Sequence, residues 1–85
     1  MHEIINEKIS VITVYDRIKG TVIPKKIKWQ GRIYDITKLS YYKPERVGRN
    51  IVHTFHVSDE TMDFKLRLDS YTLHWTLIEV TDGNS

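Results

Sequence analysis

The chain has no cysteine, and only two prolines and four glycines among its 85 residues. Without cysteine there is no disulfide and no thiolate metal site, so a secreted disulfide scaffold is excluded and a reducing, cytoplasmic setting is expected. No apolar run exceeds three residues, far short of what a membrane-spanning helix needs. The first ten residues, MHEIINEKIS, hold two acids and no apolar stretch of signal-peptide length, which again predicts a soluble chain with no membrane partner. Also missing are internal repeats, low-complexity tracts and linkers. No glycine-rich phosphate loop, two-histidine zinc helix or Gly-x-Ser-x-Gly elbow is present. The acids are scattered over turns and strand ends. The reading is therefore a single domain over residues 1–85, not an enzyme, with no cofactor. At this length such a domain buries about 60–65% of its unfolded surface, so its core is thin.

What is present is β-branched and aromatic residues alternating with polar ones, the pattern of half-buried strands. Ser10 to Tyr15 reads as strand. The nearest approach to a helical stripe runs from Ile4 to Ile12 and leaves room for one short helix. Three hairpins can be tested by register, because residues whose numbers share a constant sum face each other and point to one side. A turn at Gln30-Gly31 sets Trp29 opposite Arg32, Ile27 opposite Tyr34 and Lys26 opposite Asp35. A loop over 59–62 sets Val57 opposite Phe64, Phe55 opposite Leu66 and His53 opposite Leu68. A turn at Ser70-Tyr71 sets Leu68 opposite Leu73, Leu66 opposite Trp75 and Phe64 opposite Leu77.

Ile36 and Leu39 both read as core but have opposite parity, which predicts a bulge near Thr37-Lys38 that bends the strand. Residues 43–50 read as the longest loop, and Pro24 as a strand start. The expected fold is all-β: one small antiparallel sheet of five or six strands curled into an SH3-like or OB-like open barrel.

The histidines do not assemble a metal site in these registers. His53 and His56 are three apart on one strand and point to opposite faces. His56 faces Lys65 and His74 faces Arg67, fixed positive charges that disfavour a bound cation. Thr54, His56, Lys65, Arg67, His74 and Thr76 project together from the outer side of the meander and read as a solvated, weakly positive sheet face. Ile78 and Val80 share that parity. They give a second function class, a structural protein that self-associates as a homo-oligomer through a sheet edge or through this Ile78/Val80 surface.

Net charge is only +2, but its distribution along the chain is uneven. From Arg17 to Arg49 ten Lys/Arg stand against Asp35 and Glu45, a segment charge of +8. Cations clustered near exposed rings are what a nucleic-acid backbone and its stacked bases require. The leading function is a non-enzymatic binding module that contacts nucleic acid or an acidic protein. Its candidate surface is Lys25, Lys26, Lys28, Arg32 and Lys38 on the first hairpin with Tyr42, Lys43, Arg46 and Arg49 on and before the loop. Parity leaves only one ring of Tyr41 and Tyr42 free to stack, and the reading requires the cations to converge in the folded chain.

Pro24-x-x-Ile27-x-Trp29-x-Gly31-Arg32-x-Tyr34-x-Ile36 resembles the Pro-x-x-Phe-x-Trp-x-Gly-Arg-x-Tyr-x-Val opening of a family of small bacterial domains of unknown function. Trp75 to Val80 followed by Asp82 is similar to that family's closing Trp-x-Leu-x-x-Val-x-Asp. The resemblance spans residues 24–82. Where the family's middle is rich in tryptophan, this chain has Tyr41-Tyr42. The resemblance implies an all-β fold and carries over no activity and no site residue.

Overall fold

The computed structural model describes residues 2–82 and contains seven strands: β1 (His2–Asp16), β2 (Thr21–Trp29), β3 (Arg32–Asp35), β4 (Lys38–Val47), β5 (Asn50–Ser58), β6 (Met62–Asp69) and β7 (Trp75–Asp82). They form one antiparallel sheet in the order β3-β2-β1-β7-β6-β5-β4. The all-β expectation holds. The strand count is seven rather than five or six, and the sheet does not close into a barrel. Ile36 and Thr37 explain why. Ile36 N–H donates to the Lys25 carbonyl on one side, and Thr37 N–H donates to the Ser58 carbonyl on the other, each at 2.9 Å. The chain thus runs from one edge strand of the sheet straight to the other without reversing, and β3 and β4 form no ladder.

Two segments read differently in the sequence. The Ile4–Ile12 stretch is strand throughout, and no helix occurs among the described residues. Asn6 takes a left-handed φ of 51° and the β1–β7 register shifts between Ile4 and Glu7, so the apolar spacing there only imitates a helical stripe. Residues 43–50 are the closing end of a hairpin, with Val47 paired to Asn50 across Gly48-Arg49. Gly48 at φ 64° supplies the positive φ that such a two-residue turn needs at its first position. Pro24 lies within β2, opposite Thr13 and beside a bulge at Lys25, rather than at a strand start.

The first two predicted registers are observed. Gln30 (φ 52°) and Gly31 (φ 73°) both adopt the left-handed region that a type I′ turn requires, and Lys26 Nζ meets Asp35 Oδ1 at 2.5 Å. Val57–Phe64, Phe55–Leu66 and His53–Leu68 pair as read. The third register is displaced by two residues: Leu68 pairs with Trp75 and Leu66 with Leu77. Asp69 organises the longer turn, accepting bonds from the N–H groups of Tyr71 and Thr72, and Leu73 stands 71% exposed at φ 63° instead of in the core.

The core fills the space inside the curled sheet. Ile27 and Trp29 of β2 meet Phe55 and Val57 of β5, Phe64, Leu66 and Leu68 of β6, and Leu77 and Val80 of β7. Burial of each such side chain contributes about 1.5–3 kcal/mol before entropic costs. The Trp29 indole N–H donates to Glu7 Oε2 at 2.7 Å, which ties β2 to the first half of β1 and satisfies its one polar atom.

Val80 is therefore a core residue, contrary to the outer parity expected of it. Lys65 pairs with Glu79 and Leu66 with Leu77, so Ile78 is an unpaired bulge residue, and the bulge resets the alternation between them. Leu39, expected in the core, lies exposed on the edge strand. The strand is interrupted at Ile36-Thr37, next to the expected position, so that Ile36 and Leu39 both face inward, and a second irregularity falls at Ser40, between Leu39 and Tyr41.

Candidate nucleic-acid interface

Strand alternation places one cross-strand row on the outer, convex side of the sheet. Reading the pairings across β4, β5, β6, β7 and β1 gives Lys43, Thr54, Arg67, Thr76 and Lys8. Three cations thus stand in one line, separated by threonines. With adjacent strands about 4.8 Å apart, Lys43 to Arg67 and Arg67 to Lys8 each span about 10 Å. None of the three forms an ion pair among the described residues.

Of the two rows beside it on this face, one holds Glu45, Val52 and Asp69, and the other holds Tyr41, His56, Lys65 and Glu79. Tyr41 is 50% exposed, and its ring meets His56 edge-on, with centroids 5.2 Å apart and planes at 87°. Glu79 is the one carboxylate in this row. It is engaged by the His2 ring and approached by Lys65 Nζ at 3.8 Å. The His2 hydrogen bond is the main cause that lowers the Glu79 carboxyl below its ordinary range. On the other side of Lys8, Lys28 faces Ser10 from β2, and Lys8 and Lys28 line one shallow depression.

The candidate residues read from the sequence divide among several places. Lys28, Lys38 and Lys43 lie on the outer face, and Lys26 lies there too but is paired to Asp35. Lys25 sits in the β2 bulge. Arg32 holds its guanidinium 5.6 Å from the Tyr34 ring centroid. Arg46 opposes Ile51 on the inner parity, past the end of the core, and Arg49 occupies the β4–β5 turn. Arg17 and Lys19 are at the tip of the β1–β2 hairpin. The +8 segment does not form one patch.

Tyr42 is the inward ring of its pair. It stacks on His53 with planes 11° apart, packs on Phe55, and its hydroxyl lies 2.6 Å from His53 Nδ1. Tyr41 takes the exposed position instead.

The structure joins part of the basic segment to the outer side of the meander, two surfaces that the sequence alone presents as separate. Thr54, His56, Lys65, Arg67 and Thr76 are on that side, but His74 is in the turn before β7 rather than opposite Arg67. Lys8 was missed. Its signal was its place beside the inward Ile9 in an alternating strand, hidden by the bulge at Asn6. Among the described residues no group of three or more His, Asp or Glu is arranged to hold a metal ion, and no helix is long and apolar enough to cross a membrane. No protein-family model, curated protein or solved structure matches the chain.

Proposed function

We propose that this domain is a non-enzymatic, cytoplasmic binding module that holds single-stranded nucleic acid against the outer face of its sheet. The observation that carries this reading is the Lys8–Arg67–Lys43 row beside the Tyr41–His56 ring pair. Cations spaced along a sheet face neutralise phosphates, and an adjacent exposed ring offers a stacking platform that any base can use.

The test is fluorescence anisotropy of labelled single-stranded DNA and RNA across a salt series. Lys8, Lys28, Lys43 and Arg67 acting together give a slope of log K against log salt of about −3, from roughly 0.7 per phosphate contact. Arg67→Ala and Lys43→Ala each reduce that slope by about 0.7. Lys25→Ala and Arg49→Ala leave it unchanged. Tyr41→Ala weakens binding without altering the slope. Absence of binding at low salt removes nucleic acid as the ligand and turns the search to acidic protein surfaces.

A further inference from the structure

The edges of this sheet are unequal. β3 is only four residues long, and β4 carries Lys38, Lys43, Pro44 and Arg46, the devices that discourage strand addition. The third edge is less obvious. β1 pairs with β7 only as far as Ile9, so from Ser10 to Asp16 its β7-facing side extends beyond the end of β7. That stretch reads Ser-Val-Ile-Thr-Val-Tyr-Asp, with no proline, no glycine and no charge before Asp16. Ile12, Val14 and Tyr15 are 57%, 49% and 65% exposed.

The direction of its backbone groups follows from the turns. The tight Gln30-Gly31 turn makes Trp29 and Arg32 a hydrogen-bonded pair, so Trp29 faces β3 and Lys28 faces β1. Ser10 and Ile12, paired with Lys28 and Lys26, therefore turn their N–H and C=O groups toward β2. Asp16 does the same, since its carbonyl accepts the Gly20 N–H at 2.8 Å within the hairpin turn. Val11, Thr13 and Tyr15 are left pointing outward.

We propose that this edge pairs with the same edge of a second copy of the chain. An antiparallel two-fold centred on Thr13 sets Thr13 against the partner's Thr13, Val11 against the partner's Tyr15 and Ile12 against the partner's Val14. The phase is right: the outward residues of one copy meet the outward residues of the other, giving about two backbone bonds at each of three pairs. Registers displaced by two residues lose one of those pairs. The facing pairs are β-branched with β-branched or aromatic, the combinations that stabilise cross-strand contacts.

Charge agrees as well. The partner's Asp16 falls opposite Ser10 on the outer face, flanked by Lys8 along the strand and Lys28 across it. The pairing also directs each hairpin tip toward the end of the other copy's β7. Tyr71 and Leu73, 85% and 71% exposed, lie in the turn that leads into β7, and Ile18, 89% exposed, lies at the hairpin tip that the pairing brings toward that turn. These three side chains have no place in the monomer core, and they extend a ladder that alone is smaller than a standard interface.

The experiment is sedimentation of the full chain from micromolar to millimolar concentration, with two variants. The mass rises from the 10.1 kDa monomer toward twice that value. Thr13→Lys sets like charges across the axis and weakens the dimer about tenfold or more. It keeps its amide dispersion, because Thr13 is exposed and directs no backbone bond at β2. Thr13→Cys, in a chain with no other cysteine, cross-links under mild oxidation, since paired Cα atoms about 5.5 Å apart are within disulfide range. Glu45→Cys on the β4 edge does not. A constant monomer mass, a Thr13→Lys variant that dimerises like the parent, or equal cross-linking of the two cysteine variants each overturns the pairing.

Discussion

Asp69 shows how much one side chain does in a turn with no packed core beneath it. Its carboxylate accepts the Asn50 side-chain amide at 2.6 Å and the Tyr71 and Thr72 N–H groups at 2.9 and 3.3 Å. The Asn50 bond and then the Tyr71 bond hold its carboxyl below the ordinary aspartate value of 3.8. A folded value below the unfolded one means the charged form is favoured by folding. The contribution is complete above the unfolded value and is lost as pH falls through the folded value. Asp69→Asn should therefore be less stable than the parent at pH 7 and should converge with it in acid. Thermal melts from pH 7 to pH 2 check this, and parallel curves for the two proteins would mean that the carboxylate contributes nothing through its charge.

The same residue explains a register that the sequence could not supply. A two-residue turn at Ser70-Tyr71 satisfied the parity of Phe64, Leu66, Leu68, Trp75 and Leu77, because a shift of two leaves each side chain on its side of the sheet. Local hydrogen bonding decides between the two. Asp69 builds a longer turn, the pairing slides to Leu68–Trp75, and Leu73 is expelled. The two registers give opposite expectations for Leu73. Leu66→Ala removes a fully buried side chain and should cost about 2–5 kcal/mol, whereas Leu73→Ala should stay within about 0.5 kcal/mol of the parent in the monomer. Urea denaturation at low protein concentration measures both. Equal losses would restore the sequence register.

Alternation made the inner face of β2, β5 and β6 legible, since Ile27, Trp29, Phe55, Val57, Phe64 and Leu66 obey one period without interruption. It failed wherever a bulge resets the period: at Asn6, at Ser40 and at Ile78. The irregularities at Asn6 and Ile78 account for the missed Lys8 and the misplaced Val80, whereas Leu39 keeps the inner side, opposite Val57, and is exposed because β4 is an edge strand. The candidate site was legible only in part for the same reason. Lys28, Lys38 and Lys43 could be read as outward-facing, but the row that joins Lys43 to Arg67 and Lys8 crosses five strands drawn from both ends of the chain.

That long-range closure is a property of the whole molecule. β1 joins the three strands at the start of the chain to the meander of β4 to β7, and its partner β7 is the last strand in sequence, so His2 pairs with Thr81. Closing a loop of that length costs more chain entropy than closing the meander's hairpins, although the cost grows only logarithmically with length. A sheet so rich in distant pairings should fold in milliseconds to seconds.

The order within that time follows from the same entropy. β5 and β6 pair across a three-residue connection and bring Phe55, Phe64 and Leu66 together locally, while Ile9 reaches Trp75 only when the ends meet. Leu66→Ala should then slow folding by at least about half of its stability loss, and Ile9→Ala should act mainly on unfolding, with a folding-rate share below about 0.3. Stopped-flow chevrons on both variants separate the cases. A full slowing of folding by Ile9→Ala would place the β1–β7 closure in the transition state and make the pairing of the chain ends, rather than the meander, the event that commits this sequence to its fold.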